Sequence, residues 1–126
     1  MPGPRTILVV DDDPVVLRSL QAILEDDFDV IACSAGAPAV DFVTENPGRV
    51  AAAFIDFVMP ELDGNAVCAA LRSLDPTISI VGFSATDDAP FTGRLFQQLQ
   101  KKEMVVETVL RVAKDAVART DELRNA

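Results

Sequence analysis

The stretch Thr6-Ile7-Leu8-Val9-Val10, closed by Asp11-Asp12-Asp13, decides how the rest of the chain is read. A short, largely apolar run with no polar alternation reads as a strand buried on both faces, as in a parallel sheet. A second run repeats the pattern: Ala51-Ala52-Ala53-Phe54-Ile55, then Asp56, then Phe57-Val58-Met59-Pro60-Glu61-Leu62-Asp63-Gly64. In open parallel sheets, ligands bind outside the carboxyl ends of the strands, where the strand order reverses. Two strands that deliver carboxylates to that edge create an anionic cluster, which needs a cation or bound protons to be stable. The expectation is a divalent-metal site with one carboxylate left for chemistry.

Working outward, a chain of 126 residues is expected to form one domain over 1–126, with a core at about 5–118 and a tail at 119–126. Hydrophobic residues make up 49%, which excludes a disordered acidic segment. Eleven Lys and Arg against twenty Asp and Glu leave a formal charge of −9, which argues against direct nucleic-acid or anionic-membrane contact. No stretch is apolar enough to span a membrane, and Met1-Pro2-Gly3-Pro4-Arg5 lacks the apolar centre of a secretory leader, so the expected compartment is the cytoplasm. Cys33 and Cys68 lie far apart without metal-ligand spacing and read as buried thiols. The absence of His rules out a Ser-His-Asp triad or a His-ligated zinc within this chain.

Apolar runs alternate with amphipathic stretches, the pattern of successive βαβ units. Strands are expected at residues 6–10, 28–33, 50–55 and 78–83, the last reaching Ser84, with a weaker edge strand at 95–100. The first helix begins at Pro14, capped by Asp13, and turns Leu17, Leu20 and Leu24 inward. Further helices are expected at 37–45, 65–74 and 105–117, with residues 120–126 fraying. Pro90 and Gly93 break the stretch between the fourth strand and the edge strand, where another helix belongs.

Asp12 and Asp56 are candidate Mg2+ ligands, with Asp11 acting directly or through water and the Val58 backbone carbonyl supplying another oxygen. Asp56 is then placed to act as a nucleophile toward a phosphoryl group. Ser84 can hydrogen-bond a phosphate oxygen, and Ala85 leaves room beside it. Lys101 or Lys102 can supply the balancing cation.

These segments resemble the receiver domains of two-component response regulators. The likeness rests on residues 7–14, on Asp56-Phe57-Val58-Met59-Pro60-Glu61-Leu62-Asp63-Gly64, and on Val81-Gly82-Phe83-Ser84-Ala85, in the family's order and spacing. It implies a flavodoxin-like three-layer α/β sandwich with a five-stranded parallel sheet of order 2-1-3-4-5. It also implies a phosphoacceptor at Asp56, supplied by a histidine kinase or histidine phosphotransfer protein, and Mg2+ held by Asp11 and Asp12. Ser84 becomes the switch hydroxyl, and the first helix with the loops around Asp56 and Lys102 becomes the kinase-docking surface. The chain would catalyse only its own phosphorylation and dephosphorylation. Placing Lys102 at the family's Lys sets Met104 and Val109-Leu110 on its following apolar positions, so Lys102 is preferred over Lys101.

Three departures accompany the likeness. Glu103 replaces the Pro that follows the family's Lys, so no cis peptide is expected there. The aromatic switch position falls on Leu99, or on Gln98 if the Lys is Lys101. The segment before the Lys is short by about one turn, so the fourth helix is expected to be shortened or mobile, with residues 87–94 ordering on phosphorylation. Two other readings compete. One is a non-phosphorylated pseudo-receiver that acts as a protein-binding module. The other is a haloacid-dehalogenase-like phosphatase, with Asp11 as nucleophile and Asp13 as acid/base.

Overall fold

The computed structural model describes residues 4–59, 63–85 and 91–126. Five strands, β1 (Thr6–Val10), β2 (Asp29–Cys33), β3 (Val50–Asp56), β4 (Ser79–Ser84) and β5 (Gln97–Gln100), pair in the order β2-β1-β3-β4-β5. Every pairing is parallel. Among the described residues the α-helices are α1 (Pro14–Leu24), α2 (Gly36–Glu45), α3 (Gly64–Leu74) and α4 (Val106–Arg124). This is the expected flavodoxin-like sheet, with the order reversing between β1 and β3.

Strand alternation divides the core into two layers. Ile7 and Val9 of β1 join Leu20 and Leu24 of α1 and Val109, Val112 and Val117 of α4 on one face. Leu8 and Val10 join Ala39 and Val43 of α2 and Val67 and Leu71 of α3 on the other. β1, β3 and β4 are buried along their whole length, which is why their sequences show no polar alternation. Asp13 caps α1, its side chain accepting from the Val15 N–H, and Pro14 takes the first turn where its missing N–H costs nothing.

The stretch between β4 and β5 departs from the other crossovers. Residues 86–90 lie outside the described residues, and with them half of the segment 87–94 that was expected to order on phosphorylation. Residues 91–96 form no helix. They run as a strap over β4 on the α3 side, where Phe91 and Leu95 pack against the core. Gly82 makes this possible: a Cβ there would lie 2.8 Å from the Phe91 ring. The Thr92 N–H donates to Asn65 Oδ1 at 2.9 Å, Arg72 Nη1 donates to the Arg94 carbonyl at 2.7 Å, and the Phe96 N–H donates to the Ile80 carbonyl at 2.8 Å.

The C-terminal helix corrects an expectation. It runs to Arg124 instead of fraying from Thr120, because polar residues there are tied to the sheet. The fully buried Thr120 hydroxyl donates to the Ala51 carbonyl at 2.6 Å and meets Ser79 Oγ at 2.8 Å and the Ser79 N–H at 3.1 Å. Arg124 donates to the Val50 carbonyl at 2.8 Å and to Asp75 Oδ2 at 3.0 Å, and Arg5 pairs with Asp121. The isosteric Thr120→Val should strand buried partners on β3 and β4 and cost about 2 kcal/mol; urea unfolding checks it, and a loss indistinguishable from zero would show the hydroxyl to be dispensable.

Candidate functional site

The strand register assembles the site. Val10 pairs with Ile55, so Asp11 and Asp56 leave adjacent strands side by side. Asp56 pairs with Phe83, and Ser84, next along β4, pairs with Gln100. Lys101 follows Gln100 immediately, so Asp11, Asp56, Ser84 and Lys101 occupy one edge, each at or just past the end of its strand. Carboxylate oxygens of Asp11, Asp12 and Asp56 lie within 4.8 Å of one another, with Asp11 and Asp56 buried and Asp12 exposed.

Lys101 Nζ is 3.4 Å from Asp11 Oδ2 and 3.5 Å from Asp56 Oδ2. Lys102, preferred from the sequence, is exposed and belongs to none of the ion pairs among the described residues, so the preference is corrected to Lys101. The reason lies in the turn that follows β5. Lys101–Glu103 form a 3₁₀ turn closed by a capping box, in which the Gln100 N–H donates to Glu103 Oε1 at 2.8 Å. That turn absorbs one residue between the Lys and the apolar positions. Met104 still packs on the core and Val109 is buried as expected, while the Lys sits one residue earlier. Lys102 and Gln98, its neighbours at the turn and on β5, are both exposed.

Burial sets the electrostatics. It raises the Asp11 carboxyl from 3.8 to about 6, with Asp56 adding to the rise, while the Asp13 N–H and Lys101 oppose it. Asp11 Oδ1 accepts the Asp13 N–H at 2.8 Å, but buried Oδ2 makes no hydrogen bond. Asp56 is likewise raised by burial and drawn back by Lys101 and by the Val58 N–H. When all three acids are ionised, three negative charges less the one on Lys101 leave −2, held by oxygen donors of which one, Asp11 Oδ2, has only its 3.4 Å ion pair with Lys101. That donor set fits a hard divalent cation such as Mg2+. The Val58 side chain is exposed. Asp13, engaged in capping, does not join the cluster, so the acid/base role of the phosphatase reading has no support in the geometry.

The loop after Asp56 is held at both ends. The Phe57 N–H donates to the Phe83 carbonyl and the Gly64 N–H to the Phe57 carbonyl, each at 2.9 Å. A Cβ at Gly64 would collide with the Asp56 carbonyl, so the Asp63-Gly64 pair combines a helix cap on α3 with a close backbone approach. Pro60, Glu61 and Leu62 lie outside the described residues. One contact had no signal in the sequence: Phe57 meets Phe91 edge-on, ring centroids 5.1 Å apart, so the strap touches the residue next to Asp56.

Comparison with known proteins agrees with this geometry. The response regulator receiver domain family matches residues 7–106, and the chain belongs to that family. The response regulator MprA of Mycobacterium sp. (strain KMS) is 39% identical over 85 residues, covering 67% of this chain and 36% of that protein. The transcriptional regulatory protein PrrA of Mycobacterium tuberculosis (strain ATCC 25618 / H37Rv) is 43% identical over 84 residues, covering 66% and 35%. The chain thus spans about a third of the length of these relatives. Among solved structures, a response regulator receiver domain protein from Clostridium thermocellum superposes with TM-score 0.85 at 22% identity, covering 94% of this chain and 98% of that one. The signal receiver domain of an HD domain-containing protein from Pseudomonas fluorescens Pf-5 gives 0.88 at 18%, covering 99% and 95%. Both show the fold.

The raised Asp11 pKa has a definite sign. The unfolded chain releases this proton near 3.8 and the folded chain near 6, so the folded state holds more protons between those values. Stability in chelator should therefore fall as pH rises from about 4 to about 6 and then level off. Asp11→Asn should remove most of that slope and stabilise the metal-free protein at pH 8 by about 1–2 kcal/mol; denaturant titrations at several pH values check both.

Proposed function

We propose that this chain, read as one receiver unit over 1–126, takes a phosphoryl group onto Asp56. The donor would be a phosphohistidine on a histidine kinase or histidine phosphotransfer protein in the cytoplasm, and the transfer would change a protein-binding surface. The observation that carries this reading is the convergence of Asp11, Asp12 and Asp56 with Lys101 at the carboxyl edge of the sheet. A protein target is favoured over nucleic acid because the chain is strongly acidic.

In this reading an Asp56 carboxylate oxygen attacks phosphorus, the P–O bond forms as the P–N bond breaks, and the imidazole leaves with the bonding pair. Lys101, now next to two carboxylates, would contact a phosphoryl oxygen and offset the charge brought in. Ser84, at the end of β4, donates its hydroxyl to another phosphoryl oxygen. The buried, desolvated setting of Asp56 makes these contacts stronger than they would be in water. Asp11, Asp12, Asp56 and the Val58 carbonyl would hold Mg2+, which supplies neutralisation of the transferring phosphoryl group.

Incubation with acetyl phosphate and Mg2+, read by intact mass, tests the reading. One added phosphoryl group is expected, lost in Asp56→Asn. Lys101→Ala should slow the reaction by about tenfold or more, and Lys102→Ala should leave it unchanged. The exposed Gln98 at the switch position and the missing Pro favour the pseudo-receiver as second reading; no adduct, together with no binding of beryllofluoride, would establish it.

A further inference from the structure

At the opposite end of the sheet from Asp56, where β4 begins, a cleft of about 470 Å³ opens between the α3–β4 turn, the strap and the last turns of α4. Its walls carry Arg72, Arg94 and Arg119, with Phe96, Leu123 and Ile78 as apolar surface. The charge here is opposite in sign to the chain as a whole, which carries −9.

The handling of arginines at this pole is uneven. Arg124 is matched by Asp75 and Arg5 by Asp121. Among the described residues, neither Arg72 nor Arg94 has a carboxylate partner, although acids are in surplus. Among the described residues Arg119 pairs only with Glu122 on the same exposed helix face, at 3.5 Å, a pair that contributes little. Arg72 is nevertheless held in place. Its Nη1 donates to the Arg94 carbonyl at 2.7 Å, and its guanidinium lies against Gly93, where a Cβ would collide with it. A positioned guanidinium without a carboxylate retains its remaining donors for an anion, and its planar fork matches phosphate.

The apolar wall narrows the class of ligand. Phe96 is 36% exposed and Leu123 39%, beside the arginines. Phosphate alone would leave that wall wet. A flat ring carried on a phosphate would cover it, and the volume falls in the range of small-molecule sites. A nucleic-acid strand is disfavoured, because a net charge of −9 repels a polyanion beyond the reach of three arginines.

We propose that this cleft binds a nucleoside monophosphate, with the phosphate among Arg72, Arg94 and Arg119 and the base against Phe96 and Leu123. The site is separate from Asp56, so binding is expected in Asp56→Asn as well.

The test is amide NMR titration of the full chain with AMP, GMP and inorganic phosphate at low salt. The expected result is saturable shifts around residues 76–80, 94–96 and 119–123, with at least one nucleotide binding more tightly than phosphate. Arg94→Ala and Arg119→Ala should each weaken the nucleotide about fivefold or more. Phe96→Ala should weaken the nucleotide and spare phosphate. Gly93→Ala should weaken it with no change in charge, by displacing the Arg72 guanidinium, and circular dichroism confirms that each variant is folded. Absence of saturable shifts, phosphate binding at least as tightly as both nucleotides, or an equal loss on removing the exposed Lys114 of α4 by Lys114→Ala would each overturn the proposal.

Discussion

Mutual repulsion among Asp11, Asp12 and Asp56 is the constraint around which the carboxyl edge of this sheet is arranged. Three carboxylates within 4.8 Å of one another would oppose folding if left alone, and burial of two of them deepens the penalty. The structure meets it with Lys101 between Asp11 and Asp56, with backbone N–H groups of Asp13 and Val58 directed at the carboxylates, and with an Asp11 carboxyl whose pKa rises to about 6. The compensation is incomplete, which leaves the site able to receive a divalent cation. The strands that deliver these acids tolerate such an edge because β1, β3 and β4 are otherwise buried and apolar.

The strap over β4 is the second organising feature. With Gly82 beneath it, the Phe91 ring settles where a side chain on the strand would otherwise stand. From there it reaches Phe57, the residue that follows Asp56. At its other end the strap holds Arg72 against Gly93 and brings Arg94 and Phe96 to the foot of β4. One extended segment therefore touches the residue next to Asp56 at one end and lines a basic cleft at the other. The neighbouring helix α3 serves both, through Asn65 near its start and Arg72 near its end.

The two lysines show where sequence reading reaches its limit. Matching Met104 and Val109 to core positions was sound, since both pack against the sheet face covered by α1 and α4. Carrying the lysine along with them was not, because spacing across a turn depends on how that turn closes. The Gln100 and Glu103 capping box makes a three-residue 3₁₀ turn and shifts the cation by one position. The C-terminal end of α4 failed for a related reason. Thr120 and Arg124 look like solvated residues until β3 and the α3–β4 turn are seen to lie beneath them.

What the sequence by itself determined was whatever local periodicity and strand ends encode. Unbroken apolar runs specify a parallel sheet, Asp13-Pro14 specifies the start of α1, and Asp11, Asp12 and Asp56 specify an acidic edge, because a residue just past a buried strand has to emerge at the sheet's rim. What only the tertiary structure decided was which distant groups meet. Lys101 was chosen over Lys102, Phe91 was set against Phe57 and Gly82, and Arg72, Arg94 and Arg119 were gathered around one cleft. Those pairings depend on register, turn closure and the packing of segments far apart in the chain, and no local pattern of side chains carries that information.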